Sequence, residues 1–219
     1  MLFRSICGVF KNNAAVCAGY ARAMQYLLQK CGIECAEVVG DVRKDENDEG
    51  GPHAWNIVKI DGEYYYVDTT WDDPSNNLEP GKGTAKGFAY FCVTTDEISR
   101  TRSIDGPVEM PECSATKANF YVHNNLLLSS YDLSKIKKFA RDAAKAGRKF
   151  VTFKCANKSL YERAMNNLFK NCNTKGESDD CFEVIKEAAK VDDKINPNSL
   201  TYNYDENLWV INLIFKYEE

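Results

Sequence analysis

Three residues of this chain have the types and surroundings that nucleophilic catalysis needs. They are Cys17 in AVCAGYA, His53 in GPHAWN and Asp68 in VDTTWDDP. A thiol attacks as thiolate, an imidazole takes and returns its proton, and a carboxylate fixes the tautomer of the imidazole and supports its positive charge. Convergence of the three would equip the chain for acyl transfer through a thioester.

Each has an ordinary reading to beat. The chain holds nine cysteines, at 7, 17, 31, 35, 92, 113, 155, 172 and 181, and most cysteines in such a set are small buried hydrophobes. Cys17 differs because it opens a helical pattern, where exposed N–H groups and the helix dipole favour a thiolate. Ala18 and Gly19 beside it are small, so an acyl group could approach the backbone. His53 is one of two histidines; the other, His123, reads as a surface or strand residue. Asp68 follows the aromatic run Tyr64, Tyr65, Tyr66, and aspartate is depleted in strands unless it has work there. Trp55 and Trp71 flank the three, as core aromatics or as walls that keep water from a thioester. With Gly19 and Tyr20 they are the candidates for lining a substrate groove.

The elements that must position these residues are legible from periodicity. Cys17, Tyr20, Ala21, Met24, Leu27 and Leu28 form a helical stripe that ends at Cys31, with Gly32 as the cap. Residues 33–42 read as a strand and 43–52 as an acidic loop. His53–Ile60 and Glu63–Thr70 are β-rich runs on either side of Asp61-Gly62, a strong hairpin signal. A two-residue turn sets Ile60 against Glu63, Trp55 against Asp68 and His53 against Thr70. His53 and Asp68 then share one face as diagonal neighbours, ~7–8 Å apart. Residues 72–87 read as a loop, 88–93 as a strand and 102–118 as a linker. Beyond it the expected order is strand 119–129, helix 133–146, strand 149–155, helices 160–171 and 181–191, and a closing hairpin of 200–204 with 208–215.

Composition narrows the classes. The 219 residues are 44% hydrophobic and 27% charged, which suits one large globular domain or two small ones. No apolar run approaches the ~18 residues of a membrane span, and MLFRSICGVF lacks the layout of a signal peptide. The net charge is −4; residues 1–115 are acidic and the rest mildly basic, which argues against nucleic-acid binding. The basic run Lys135, Lys137, Lys138, Arg141, Lys145, Arg148, Lys149 reads as a solvated helix face. Scattered cysteines do not form the framework of a small disulfide-rich domain. Cys31 and Cys35 lack the second close pair of a structural zinc site, and DENDEG at 45–50 departs from a calcium loop. No metal or cofactor is expected, since thiol chemistry requires none.

AVCAGYARAMQYLLQKCGI resembles the nucleophile helix of the transglutaminase-like superfamily, in particular its bacterial members, and GPHAWNIVKIDGEYYYVDTTWDDP resembles its histidine–tryptophan and D-x-T-W-D strands. The resemblance covers roughly residues 1–95. It implies an α+β fold with a papain-like transglutaminase core, a nucleophile helix packed on an antiparallel sheet, at residues 1–110. A small α/β C-terminal domain at 116–219 would follow. It also implies the roles of nucleophile, base and orienting carboxylate for Cys17, His53 and Asp68. The reaction implied is thioester formation from a peptide or protein amide, resolved by an amine or by water. Two features depart from the family pattern: Val16 stands where many relatives have glycine, and only 16 residues precede Cys17 where relatives carry helices. The chain is accordingly expected to be a shortened form, either cytoplasmic or exported. The competing reading is a transglutaminase-like scaffold that binds a cell-wall polymer or a partner protein, and the intact Cys-His-Asp set favours the enzyme.

Overall fold

A computed structural model describes residues 4–12, 15–43, 47–73, 87–170 and 180–218. Helices and sheets are mixed, and the described residues up to His123 form one compact unit while those from Asn124 form another.

In the first unit the order is α1 (Ile6–Asn12), α2 (Cys17–Lys30), β1 (Cys35–Val42), β2 (Gly51–Ile60), β3 (Glu63–Val67) and α3 (Thr69–Asp72). Then come α4 (Thr95–Ile98), β4 (Arg102–Ile104) and α5 (Phe120–His123). The four strands make one antiparallel sheet in the order β3-β2-β1-β4. Helix α2 packs on β2 and β1. It stops because Gly32 takes φ +76° and the chain closes a Schellman motif, with Gly32 N–H bonded to the Gln29 carbonyl and Ile33 N–H to that of Leu28. Its buried residues are Gly19, Ala21 and Ala23. Small side chains let the helix axis lie close over the sheet. Met24 and Leu28 reach a cluster of Cys35, Val58, Tyr65, Val67 and Cys92. Leu27, expected in the stripe, lies outside this face and is exposed.

The hairpin forms as its turn chemistry dictates. Asp61 and Gly62 both take positive φ, 53° and 87°, the signature of a type I′ turn. Pairing runs from Ile60 with Glu63 to Asn56 with Val67 in the expected register. The ladder ends there, so His53 does not face Thr70. Asp68 leaves the strand because its carboxylate caps α3: Oδ1 accepts the N–H of Thr70 at 3.0 Å and of Trp71 at 3.2 Å. Asp68 keeps an extended backbone (φ −124°, ψ 91°), so its side chain still emerges on the face that alternation assigns to Trp55 and His53.

Three expected elements take other forms. Residues 88–93 are not a strand: Cys92 has φ +56°, and only Val93 makes a bridge, to Tyr66. The segment 102–118 begins with β4, paired to β1 through Val42–Arg102 and Gly40–Ile104, instead of serving as a linker. Residues 119–129 hold α5 and the two-residue β5 (Leu127–Leu128) in place of a long strand. There the Asn119 Oδ1 accepts the Tyr121 N–H, and Asn125 turns the chain at φ +56°.

The second unit runs β5, α6 (Leu133–Lys145), β6 (Phe150–Cys155), α7 (Lys158–Phe169), α8 (Asp180–Ala189), β7 (Ile195–Asp205) and β8 (Val210–Tyr217). Its sheet has the order β5-β6-β8-β7, with β5 parallel to β6 and the other pairs antiparallel. Val151, Phe153, Ile211, Leu213 and Phe215 from the sheet meet Ile136, Ala140, Ala164, Leu168, Val184 and Ile185 from the helices in one core. Two basic residues of α6 pair with α8 at the surface: Lys137 bonds Glu183 and Arg141 bonds Glu187.

Candidate active site

Cys17 stands in the first position of α2, preceded by Val16, which provides no side-chain cap. The first two N–H groups of the helix, those of Cys17 and Ala18, therefore favour an anion there. A hydrogen bond to His53 is the largest influence on the thiol. It outweighs the opposing effect of partial burial, and the charge of His53 and the backbone of Ala54 and Ala18 add to it. Cys17 is held below the ordinary thiol value as a result.

His53 and Asp68 meet directly, Nε2 to Oδ2 at 2.7 Å, with both side chains nearly or fully out of solvent. With Nε2 committed to the carboxylate, Nδ1 is the nitrogen left for the thiol. Burial works against a charged imidazole here, yet the hydrogen bonds to Asp68 and Cys17 and the charge of Asp68 prevail, and His53 is pushed up to about 9. Burial likewise opposes an ionised Asp68. The His53 bond and the Arg102 charge overcome it and hold the carboxyl below its ordinary value.

Arg102 is the residue that sequence reasoning missed. Its Nη2 and Nε lie 2.5 and 3.1 Å from Asp68 Oδ2, the oxygen already bonded to His53. Its guanidinium carbon sits 4.2 Å from the ring centre of Tyr90 and 4.4 Å from that of Trp71, in the corner those rings make by meeting edge to face. Nη1 bonds Thr101 Oγ1. Asp68 thus accepts five hydrogen bonds: two backbone N–H groups on Oδ1, and the imidazole and two guanidinium nitrogens on Oδ2. The signal that could have led to Arg102 is energetic, because a buried carboxylate beside a histidine calls for a second cation. Nothing in TRSID marks which cation that is.

The groove candidates divide. Trp55 is buried and stacks on His53, centroids 6.0 Å apart at 21°; Trp71 meets His53 edge-on at 6.3 Å. Gly19 is buried in the first turn of α2. Tyr20 gives its hydroxyl to Asp73 Oδ2 at 2.5 Å and ties α2 to the residue after α3. His123 lies at the end of α5, exposed. Cys31 and Cys35 are free thiols, one exposed and one buried. Among the described residues no group of three or more His, Cys, Asp or Glu is disposed to hold a metal ion, and no helix is long and apolar enough to cross a membrane.

Residues 4–69 match the family model described as the Transglutaminase-like superfamily, a group that covers cysteine-dependent acyl transfer and hydrolysis. Cys17, His53 and Asp68 all fall inside the matched stretch, whereas Trp71, Tyr90 and Arg102 fall beyond it. No curated protein matches the chain.

Proposed function

We propose that this chain is a papain-like cysteine enzyme that acts on peptide or protein amides through a thioester, with Cys17 as nucleophile, His53 as base and acid, and Asp68 as the group that orients His53. The observation that carries this reading is the buried His53–Asp68 pair beside the Cys17 thiol, whose ionisation His53 favours more than any other group does. There the thiol is lowered, the imidazole is raised to about 9, and the His53–Asp68 distance is 2.7 Å. These are the features of a thiolate–imidazolium pair stable across neutral pH.

In the proposed cycle the Cys17 thiolate attacks the amide carbon and the carbonyl electrons move onto oxygen. The N–H of Cys17 at the start of α2 is a donor for that oxyanion. Collapse of the intermediate expels the amine, which takes the Nδ1 proton of His53 and leaves a thioester on Cys17. Water or an amine then attacks the thioester as His53 takes its proton. The second collapse returns the thiolate and releases acid or amide. Trp55 and Trp71 wall the imidazole and limit competing solvent.

The test is a chemical burst. A chromogenic or fluorogenic acyl donor should leave one equivalent of acyl group on Cys17, and none in Cys17→Ala. Equal labelling of both proteins would sink the proposal, and a scaffold that binds without turnover would take its place.

A further inference from the structure

We propose that Arg102 is a positioning residue of this site: its guanidinium shares Asp68 Oδ2 with His53, fixes that oxygen against Trp71 and Tyr90, and sets how readily the imidazole gives up its proton to the leaving amine. This rests on the acyl-transfer reading above and deepens it.

Three separate observations support the assignment. The side chains of Arg102 and Asp68 are both fully buried, so their charges interact with little screening by water. The guanidinium is fixed on every side that matters, by Oδ2 through two nitrogens, by Thr101 Oγ1 and by two aromatic rings. The scaffold around it is built to hold it there. A Cβ on Gly40 would lie 1.9 Å from the Ser103 carbonyl oxygen and 2.9 Å from Trp55. Only glycine lets β4 pair this closely beside the ring that stacks on His53.

The consequence is electrostatic. A lone buried carboxylate would bind the imidazolium proton very tightly, which favours the thiolate but leaves His53 a poor acid. A guanidinium on the same oxygen takes up part of that negative charge and repels the imidazolium, and its charge does lower the proton affinity of His53. The carboxylate keeps its place and its charge while the imidazole stays able to release its proton. The charged and titratable groups around His53 are Cys17 from α2, Asp68 at the head of α3 and Arg102 from β4. Asp72 and Asp73 at the end of α3 bond the Tyr90 N–H and the Tyr20 hydroxyl respectively.

The sign of one shift tests the idea. His53 would be titrated by NMR with ring-labelled histidine in the full chain, alongside the pH profile of Cys17 alkylation by iodoacetamide. Arg102→Met and Arg102→Gln remove the charge, so the His53 titration should move up by about one pH unit or more. The lower limb of the Cys17 profile should move up with it, because a positive charge has left the site. Arg102→Lys keeps the charge and should stay close to wild type. A merely structural Arg102 predicts the opposite: with Asp68 loosened, His53 would fall toward its ordinary value. A downward or absent shift in a folded neutral variant overturns the proposal. So does failure of both neutral variants to fold, which would assign Arg102 to stability alone. Failure of the underlying reading looks different, because wild-type Cys17 would already label as an ordinary thiol and His53 would titrate near 6.5 before any variant is compared.

Discussion

Asp68 gives His53 one of its two oxygens and keeps the other for its own backbone: Oδ2 lies 2.7 Å from His53 Nε2, while Oδ1 caps α3. The division means that aspartate here serves two purposes which a substitution can separate. In Asp68→Asn the amide can still accept the two N–H groups of the cap but no longer carries a charge. His53 then loses the anion that holds it up, and Arg102 loses its buried counter-ion. The expected result is a fall of the His53 titration below its present value of about 9. A loss of about 100-fold or more in Cys17 alkylation at pH 6 should accompany it. Stability should drop by about 3–5 kcal/mol from the stranded guanidinium. Urea unfolding and alkylation kinetics on one preparation check all three, and an alkylation rate within threefold of wild type would remove Asp68 from the proposed mechanism.

Stability should depend on pH in a way set by the same residues. His53 is raised in the folded state from 6.5 to about 9, so its contribution is fully present below about pH 6.5 and is lost as pH rises through about 9. Asp68 is lowered, so its contribution is present above its unfolded value and is lost as pH falls through its folded one. Between these limits the protein should be at its most stable. The lowered Cys17 thiol works with the opposite sign over the same range, because the unfolded thiol holds its proton to higher pH than the folded one. The His53 loss of about 1–3 kcal/mol between pH 6.5 and 9.5 is therefore largely offset in the wild type and is exposed in Cys17→Ala. Denaturant melts across that range, in Cys17→Ala and in Cys17→Ala/His53→Gln, test it. A loss in Cys17→Ala no larger than that of the double variant would contradict the assignment.

Gly32 offers a control remote from the chemistry. It holds φ +76° at the end of α2, with nothing within 4 Å of where a Cβ would sit. The whole cost of Gly32→Ala is therefore conformational, about 1 kcal/mol. Alkylation of Cys17 should be unchanged, since the other end of the helix carries the site. A loss of reactivity comparable to that of His53→Ala would mean that the helix end and the site are coupled.

What the sequence makes legible follows from how local each cause is. The α2 cap, the Asp61-Gly62 turn and the register down to Asn56–Val67 depend on residues within a few positions of one another, and all form as their residues dictate. Errors gather where one residue overrides a propensity. Cys92 at positive φ breaks an apolar run that reads as a strand, and the Asp68 carboxylate ends β3 by capping the next turn. Arg102 was hidden for a different reason. It lies 34 positions from Asp68 in a stretch with two prolines and little periodicity, and its role depends on β4 pairing with β1. No local pattern encodes a pairing across that separation.

Gly40 is where that pairing can be broken. A methyl group there meets a backbone carbonyl at 1.9 Å, so β4 has to retreat. Gly40→Ala should cost about 1–3 kcal/mol as an overpacked site, and it should also draw Arg102 away from Asp68. Destabilisation together with an altered His53 titration is the expected pair of results. Destabilisation with His53 untouched would mean that Arg102 holds its place without β4.

The cysteines give the sharpest comparison, because one protein contains the test and its controls. Burial pushes Cys35 and Cys113 up to about 11 and Cys92 and Cys155 up to about 12, so none of them should compete for an electrophile near neutrality. Cys31 is exposed, and access alone favours it over the half-buried Cys17. An unassisted thiol is only ~1% thiolate at pH 6.5, whereas the hydrogen bond from His53 keeps Cys17 below the ordinary range. With limiting iodoacetamide at pH 6.5, peptide mass spectrometry should find Cys17 modified ~10-fold faster than Cys31 or more. In His53→Ala the order should reverse, since exposure then decides. Cys31 leading in the wild-type protein would mean that the thiolate–imidazolium pair does not exist in solution, and the acyl-transfer proposal would fall with it.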